Sequence, residues 1–164
     1  MSRLHAHRWI CLGIAVLLVS CASVPVGTTK GAIAVWDLDD LSPGDAGRPP
    51  MGEFLSARVI EVIKGWQGYD VVERERLLLA LQELRLGSSG LADEATRLRL
   101  GRISGARLMV FGGYQAAGGT VRIDLRLVEV ETGKVLKAAQ RTSRAENPAE
   151  WLDIAGNAAG DLLP

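Results

Sequence analysis

Two rhythms of apolar residues alternate along this chain. Residues 31–38 (Gly-Ala-Ile-Ala-Val-Trp-Asp-Leu) form a near-continuous apolar run with β-branched members, which predicts a first strand buried on both faces. After Pro49-Pro50 the spacing becomes helical. Met51, Leu55, Val59, Val62 and Trp66 mark one face of a helix over residues 51–64, ended by Gly65 and Gly68. Residues 69–73 read as a second strand.

The stretch 71–114 then runs strand, helix, loop, helix, strand. Leu77, Leu81 and Leu84, widened by Leu78, give the inner face of a helix over 74–86. Gly87 to Gly90 make a loop. Asp93 is the expected N-cap of a helix through Ser104, with Thr96, Leu100 and Ile103 inward and Ala95 and Leu98 flanking. Gly105 closes it. Leu108 to Phe111 predict a central strand that ends at Gly112-Gly113, with a loop over 115–119.

In residues 120–130 the period becomes two. Val121, Ile123, Leu125 and Leu127 face one way and Arg122, Asp124 and Arg126 the other. Apolar Val128 and Val130 then break the phase, which predicts a bulge. Glu131 to Lys134 read as a hairpin turn. Residues 135–141, with Lys137 and Arg141, read as a returning edge strand. Asn147-Pro148 open a last helix with Trp151, Ile154, Ala155, Ala158 and Leu162 inward. The order β-α-β-α-α-β-β-β-α predicts one α/β (α+β) domain: a mixed sheet of about five strands with helices packed on it.

The N-terminus follows neither rhythm. Arg3 and Arg8, with His5 and His7, precede an apolar run from Trp9 to Val19 that is too short to span a membrane. This predicts a signal peptide over residues 1–20. Leu18-Val19-Ser20-Cys21 resembles the bacterial lipobox, which implies cleavage before Cys21 and lipidation of its thiol and amine. Ala22 in place of Asp favours the outer membrane, periplasmic face. Residues 21–30 read as a tether and 31–164 as the folded domain.

That reading changes the composition. Losing Arg3 and Arg8 leaves 17 basic residues against 19 acidic ones, a net charge of −2, so nothing points to nucleic acid as a partner. Both histidines are lost too, which removes His-dependent nucleophilic and metal chemistry. Cys21 is then the sole cysteine, and no internal disulfide is possible. No cofactor or metal is expected. Three weaker candidates remain. Asp37, Asp39 and Asp40 would suit a divalent cation, but no fixed-spacing calcium loop surrounds them, and a solvated turn is preferred. Glu73-Arg74 would suit a catalytic acid beside a charge, but a helix junction with ion pairs is preferred. Arg97, Arg99, Arg102 and Arg107 would make an anion site, but a solvated face beside Asp93 and Glu94 is preferred.

Glu73-Arg74-x-x-Leu77-x-x-x-Leu81-x-Glu83, then Gly90-Leu91, Leu100-Gly101, Gly105-Ala106 and an apolar strand ending in Gly112 together resemble the CsgG family. The run Leu125 to Leu136, with its Thr132-Gly133 turn, resembles that family's Leu-Arg strand and hairpin. The resemblance covers residues 31–143. It implies a non-enzymatic, lipid-anchored envelope protein, working by protein binding in a secretion or surface-structure (curli-type) system, with a homo-oligomer possible. The second reading is an LpoB-like lipoprotein regulator of a cell-wall (peptidoglycan) synthase. A third, of another class, is a periplasmic hydrolase using Asp37, Asp39 or Glu73. The family's channel members insert membrane-spanning hairpins after the strand ending near Gly112 and after the strand that follows the Thr-Gly turn. Here those connections, 113–119 and 143–148, are too short for strands of about 9–11 residues, so this chain alone is expected to form no pore.

Overall fold

The computed structural model describes residues 30–44, 49–83 and 93–163. Cys21 with the signal and tether, the helical continuation at Leu84, and the loop Gly87–Gly90 lie outside the described residues. Six strands and four helices follow in the order β1 (Gly31–Val35), β2 (Asp39–Asp40), α1 (Gly52–Lys64), β3 (Tyr69–Val71), α2 (Arg74–Glu83), α3 (Glu94–Ile103), β4 (Leu108–Ala117), β5 (Thr120–Glu129), β6 (Val135–Arg144) and α4 (Pro148–Asp161). They form one mixed sheet in the order β3-β1-β4-β5-β6. β1 is parallel to β3 and β4, and β4-β5-β6 is an antiparallel meander.

The first apolar run is a strand only as far as Val35, and a short second strand follows the run. β1 stops at Val35, and β2 resumes in line with it, pairing Asp39 with Gly113 and Asp40 with Tyr114 on the same edge of β4. The interruption is where α1 enters. A Cβ on Gly52 would lie 2.2 Å from the Leu38 carbonyl oxygen, so only glycine lets the helix start against this break.

One face of the sheet is covered by α1 and α4, which also pack on each other. Ile33, Leu55, Val59, Ile123, Leu125 and Leu162 lie in this core, all at or near zero exposure. Fully burying each such side chain contributes about 1.5–3 kcal/mol. Ile63 takes the inward place expected for Val62, which is half-buried. The other face carries a smaller core of Ala34, Leu77, Met109, Phe111, Val128 and Val130.

The helices on that second face are rotated from their expected positions. In α2, Ala80 is buried and Leu78 exposed. In α3, the inner positions are Arg97, Leu100, Gly101 and the C-cap Ser104, while Ile103 turns out to solvent. Gly101 explains the rotation. A Cβ there would stand 3.0 Å from a Val130 methyl, so α3 lies against the end of β5 on its glycine.

β4 runs through Gly112-Gly113 to Ala117, rather than ending at the glycines. They mark close approaches: a Gly112 Cβ would lie 1.9 Å from the Asp124 carbonyl oxygen, and a Gly113 Cβ 2.6 Å from the Leu41 side chain. The β4–β5 turn is only Gly118-Gly119, both at positive φ (58° and 73°), the pattern of a two-residue hairpin turn. A register shift falls at Leu127/Val128, as expected of a bulge, but the unmatched residue is Leu136 of β6. Arg122, Asp124, Arg126 and Val128 share one face of β5, and Val130 just past its end packs on the same side. Its pattern changes because covering helices begin there, not because the strand slips.

Asp93 caps α3, accepting from the Thr96 N–H at 2.8 Å and the Thr96 hydroxyl at 2.7 Å. The Thr96 hydroxyl, then its N–H, hold the Asp93 carboxyl below its ordinary pKa. Asp161 is lowered by its hydrogen bonds from Arg141. A depressed carboxyl stabilises the fold above its unfolded pKa of about 4 and loses that contribution as pH falls through the folded value. The urea midpoint should therefore drop between pH 5 and pH 3. Asp93→Asn, which caps without a charge, should drop less. Equal falls in both proteins would remove Asp93 from the explanation.

Candidate interaction surface

The aspartates after β1 are held by arginines. Asp37 accepts from both Arg74 guanidinium nitrogens (3.1 and 3.0 Å) and from the buried Ser56 hydroxyl (3.1 Å). Arg74 also reaches Glu53 at 3.5 Å. Asp39 accepts from Arg97 at 2.7 Å, and Asp40 from the Ser42 N–H at 2.9 Å. Asp37 and Asp39 therefore tie the β1–β2 break to α1, α2 and α3, while exposed Asp40 bonds within the turn that follows. Among the described residues no three His, Cys, Asp or Glu side chains converge for a metal ion.

Glu73 is exposed, and its carbonyl accepts from the Arg76 N–H as α2 begins. The ion pairs at this junction belong to Arg74. Glu83 is the last residue of α2. Gly105, at φ 75°, turns the chain after α3, and Gly133, at φ 71°, turns it in the β5–β6 hairpin. There Thr132 donates to the Glu129 carboxylate at 2.6 Å. These motif residues build junctions and turns.

Arg97 is the exception to a solvated arginine face. It is 7% exposed, with its guanidinium 5.8 Å from the Phe111 ring centre and its charge on Asp39. Arg99, Arg102 and Arg107 are exposed. Arg107 donates to the Lys30 carbonyl at 2.9 Å.

Beyond Arg97 the second face of the sheet is bare among the described residues. α2 and α3 cover only the end of β4 and β5 that carries Met109, Phe111, Val128 and Val130. From Phe111 outward, registered rows cross three strands: Phe111–Arg126–Ala138, Gly113–Asp124–Gln140 and Gln115–Arg122–Thr142. They floor an open depression of about 640 Å³, walled by Glu94 and Arg97 of α3 and by Asp39 and Leu41. Small residues at Gly113 and Ala138 make it concave.

Its charges alternate and pair: Arg97–Asp39 at 2.7 Å, Arg122–Asp124 at 2.8 Å and Arg126–Glu94 at 4.0 Å. The hydrogen bond and then the charge of Asp124 raise the Arg122 pKa. The two exposed pairs, Arg122–Asp124 and Arg126–Glu94, contribute about 1 kcal/mol or less to stability. They leave an ordered surface of both signs, suited to a protein partner's own charges. The change from Arg126 to Val128 on one face of β5 is the sequence signal for where this surface starts. Arg97 carried no such signal.

A family model described as curli production assembly/transport component CsgG matches residues 17–118. No curated protein matches in sequence. Solved structures of similar fold include the LpoB C-terminal domain from Salmonella enterica (14% identity, 71% of this chain and 84% of that one, TM-score 0.60). Lipoprotein GNA1162 from Neisseria meningitidis aligns at 19% identity over 81% of this chain and 99% of that one, TM-score 0.53. A PelC dodecamer from Paraburkholderia phytofirmans aligns at 13% identity over 80% and 87%, TM-score 0.52. At these identities the likeness is one of fold.

Proposed function

The chain belongs to the CsgG family, and on that footing we propose that it is a lipid-anchored envelope protein, non-enzymatic, that works by binding other proteins as an accessory or assembly component of a secretion or surface-structure system. In this reading residues 1–20 are the signal peptide, Cys21 carries the lipid, and 21–30 tether the domain to the periplasmic face of the outer membrane. The observation that carries protein binding is the bare, charge-alternating face of β4, β5 and β6. A sheet face left half uncovered beside two packed helices is a surface available to a partner.

The connections where channel members insert hairpins are here Gly118–Gly119 and residues 145–147. Neither holds a spanning strand, so any membrane attachment in this reading comes from the lipid. The likeness to LpoB favours a second reading, regulation of a cell-wall synthase, through the same surface. The PelC dodecamer supports a homo-oligomer.

Two measurements test this. Cys21→Ala should abolish acyl labelling and move the protein from the membrane to the soluble fraction; unchanged fractionation rules out the anchor. A photo-crosslinking residue at Gln115, on the bare face, should capture an envelope protein in cells. Capture of a cell-wall synthase selects the second reading, and capture of this chain alone makes the face a self-contact.

A further inference from the structure

β6 is the last strand of the sheet and pairs with β5 alone among the described residues. In an antiparallel pair, half the residues turn their N–H and C=O groups away from the neighbour. The outer edge of β6 thus carries a row of unused donors and acceptors. Along it runs a groove of about 340 Å³, with residues 141–144 on one side and Glu150, Asp153 and Asn157 of α4 on the other. A strand edge flanked by a helix is the setting in which extended peptides add to a sheet. Backbone bonds supply affinity there, and alternate side chains supply selection.

The charges choose the occupant. β6 contains Lys137, Arg141 and Arg144 and no acid. Lys137 and Arg141 face α4, where they donate to the Leu163 carbonyl and the Asp161 carboxylate. Arg144 pairs in register with Thr120 and so lies on the bare face; it makes no ion pair among the described residues. A second copy of β6 brings three more cations and no acid, which opposes pairing of the two edges. β3, at the other edge, is three residues long and too short to cover the regular part of β6 beyond the bulge.

We infer that the β6–α4 groove takes an extended segment of another protein as an added strand. Its acidic side chains would sit at alternate positions on the Arg144 side, with hydrogen-bonding or basic side chains toward Asp153 and Asn157. This rests on the protein-binding reading above and gives the partner's chemistry.

The test uses the ¹⁵N-labelled full chain in detergent micelles and a capped ten-residue peptide of alternating glutamate and threonine. The expected result is amide shifts along residues 138–144 and around Asp153. Arg144→Glu should weaken binding about tenfold, as loss of a charge-assisted contact does. The same peptide N-methylated at alternate backbone nitrogens keeps every charge but loses its donors, and should produce no shifts. Equal binding of the two peptides, or shifts confined to Arg122 and Arg126, would overturn the inference. So would concentration-dependent protection of β6 amides without peptide, which would make the occupant a second copy. Crosslinking from Gln115 reports on a different surface, so protein binding in general can stand while this groove falls.

Discussion

Gly112→Ala should lower the free energy of unfolding by about 3 kcal/mol or more, one of the largest effects expected of any single methyl group in this chain. The reason is a backbone-to-backbone contact. The added Cβ would fall 1.9 Å from the Asp124 carbonyl oxygen and 3.1 Å from the Leu125 Cα, and neither can swing aside as a side-chain tip can. β4 and β5 must separate there, in the middle of a ten-residue ladder that joins both cores. Gly160→Ala is the control. It lies in α4 with nothing within 4 Å of the added Cβ, and should stabilise by up to about 1 kcal/mol through helix propensity. Thermal unfolding separates the two, with Tm falling by about 10 °C or more for Gly112→Ala and rising slightly for Gly160→Ala. A Gly112→Ala protein as stable as the parent would mean the strands reposition freely.

Asp39→Ala should cost about 2 kcal/mol. The Arg97 side chain is 9% exposed and loses its carboxylate, while the half-exposed Asp39 keeps the cost below that of a fully buried pair. Arg97→Met removes the charge and keeps the packing volume on Phe111, so it should cost about 1 kcal/mol or less. Once Arg97 is Met, adding Asp39→Ala should cost little more. Urea unfolding of the four proteins gives the coupling directly, and additive losses would show that the pair acts separately.

The fold is legible in the sequence through residues whose role is local or periodic. Asn147 and Asp93 announce their caps, Gly118-Gly119 and Thr132-Gly133 their turns, and Val121 to Leu127 their buried face. It is not legible where one residue answers to a neighbour distant in the chain. Nothing near Gly112 or Gly113 tells that Asp124 and Leu41 crowd them, so the glycines read as a strand end. Nothing near Arg97 tells that Gly101 lets α3 rotate until an arginine faces Phe111 and Asp39. Apolar periodicity assigns charged residues outward by default, and an arginine buried against its carboxylate partner defeats it. The candidate surface is half visible: the polar positions of β5 read as one face, but that the described helices α2 and α3 pack only on the Phe111–Val128 end of it is a matter of tertiary packing.

The two-residue turn between β4 and β5 also bears on how the chain finds its fold. Gly112 meets Leu125 through a closure of a few residues, and β6 follows through the short turn at Thr132-Gly133. Ile33 must instead find Leu108 across most of the domain. Loop-closure entropy rises with that separation, so the C-terminal meander is the low-contact-order part and β1 the high one. The strand made first during synthesis has only the three-residue β3 to pair with until β4 exists. The C-terminal meander is thus expected to form before β1 docks against β4.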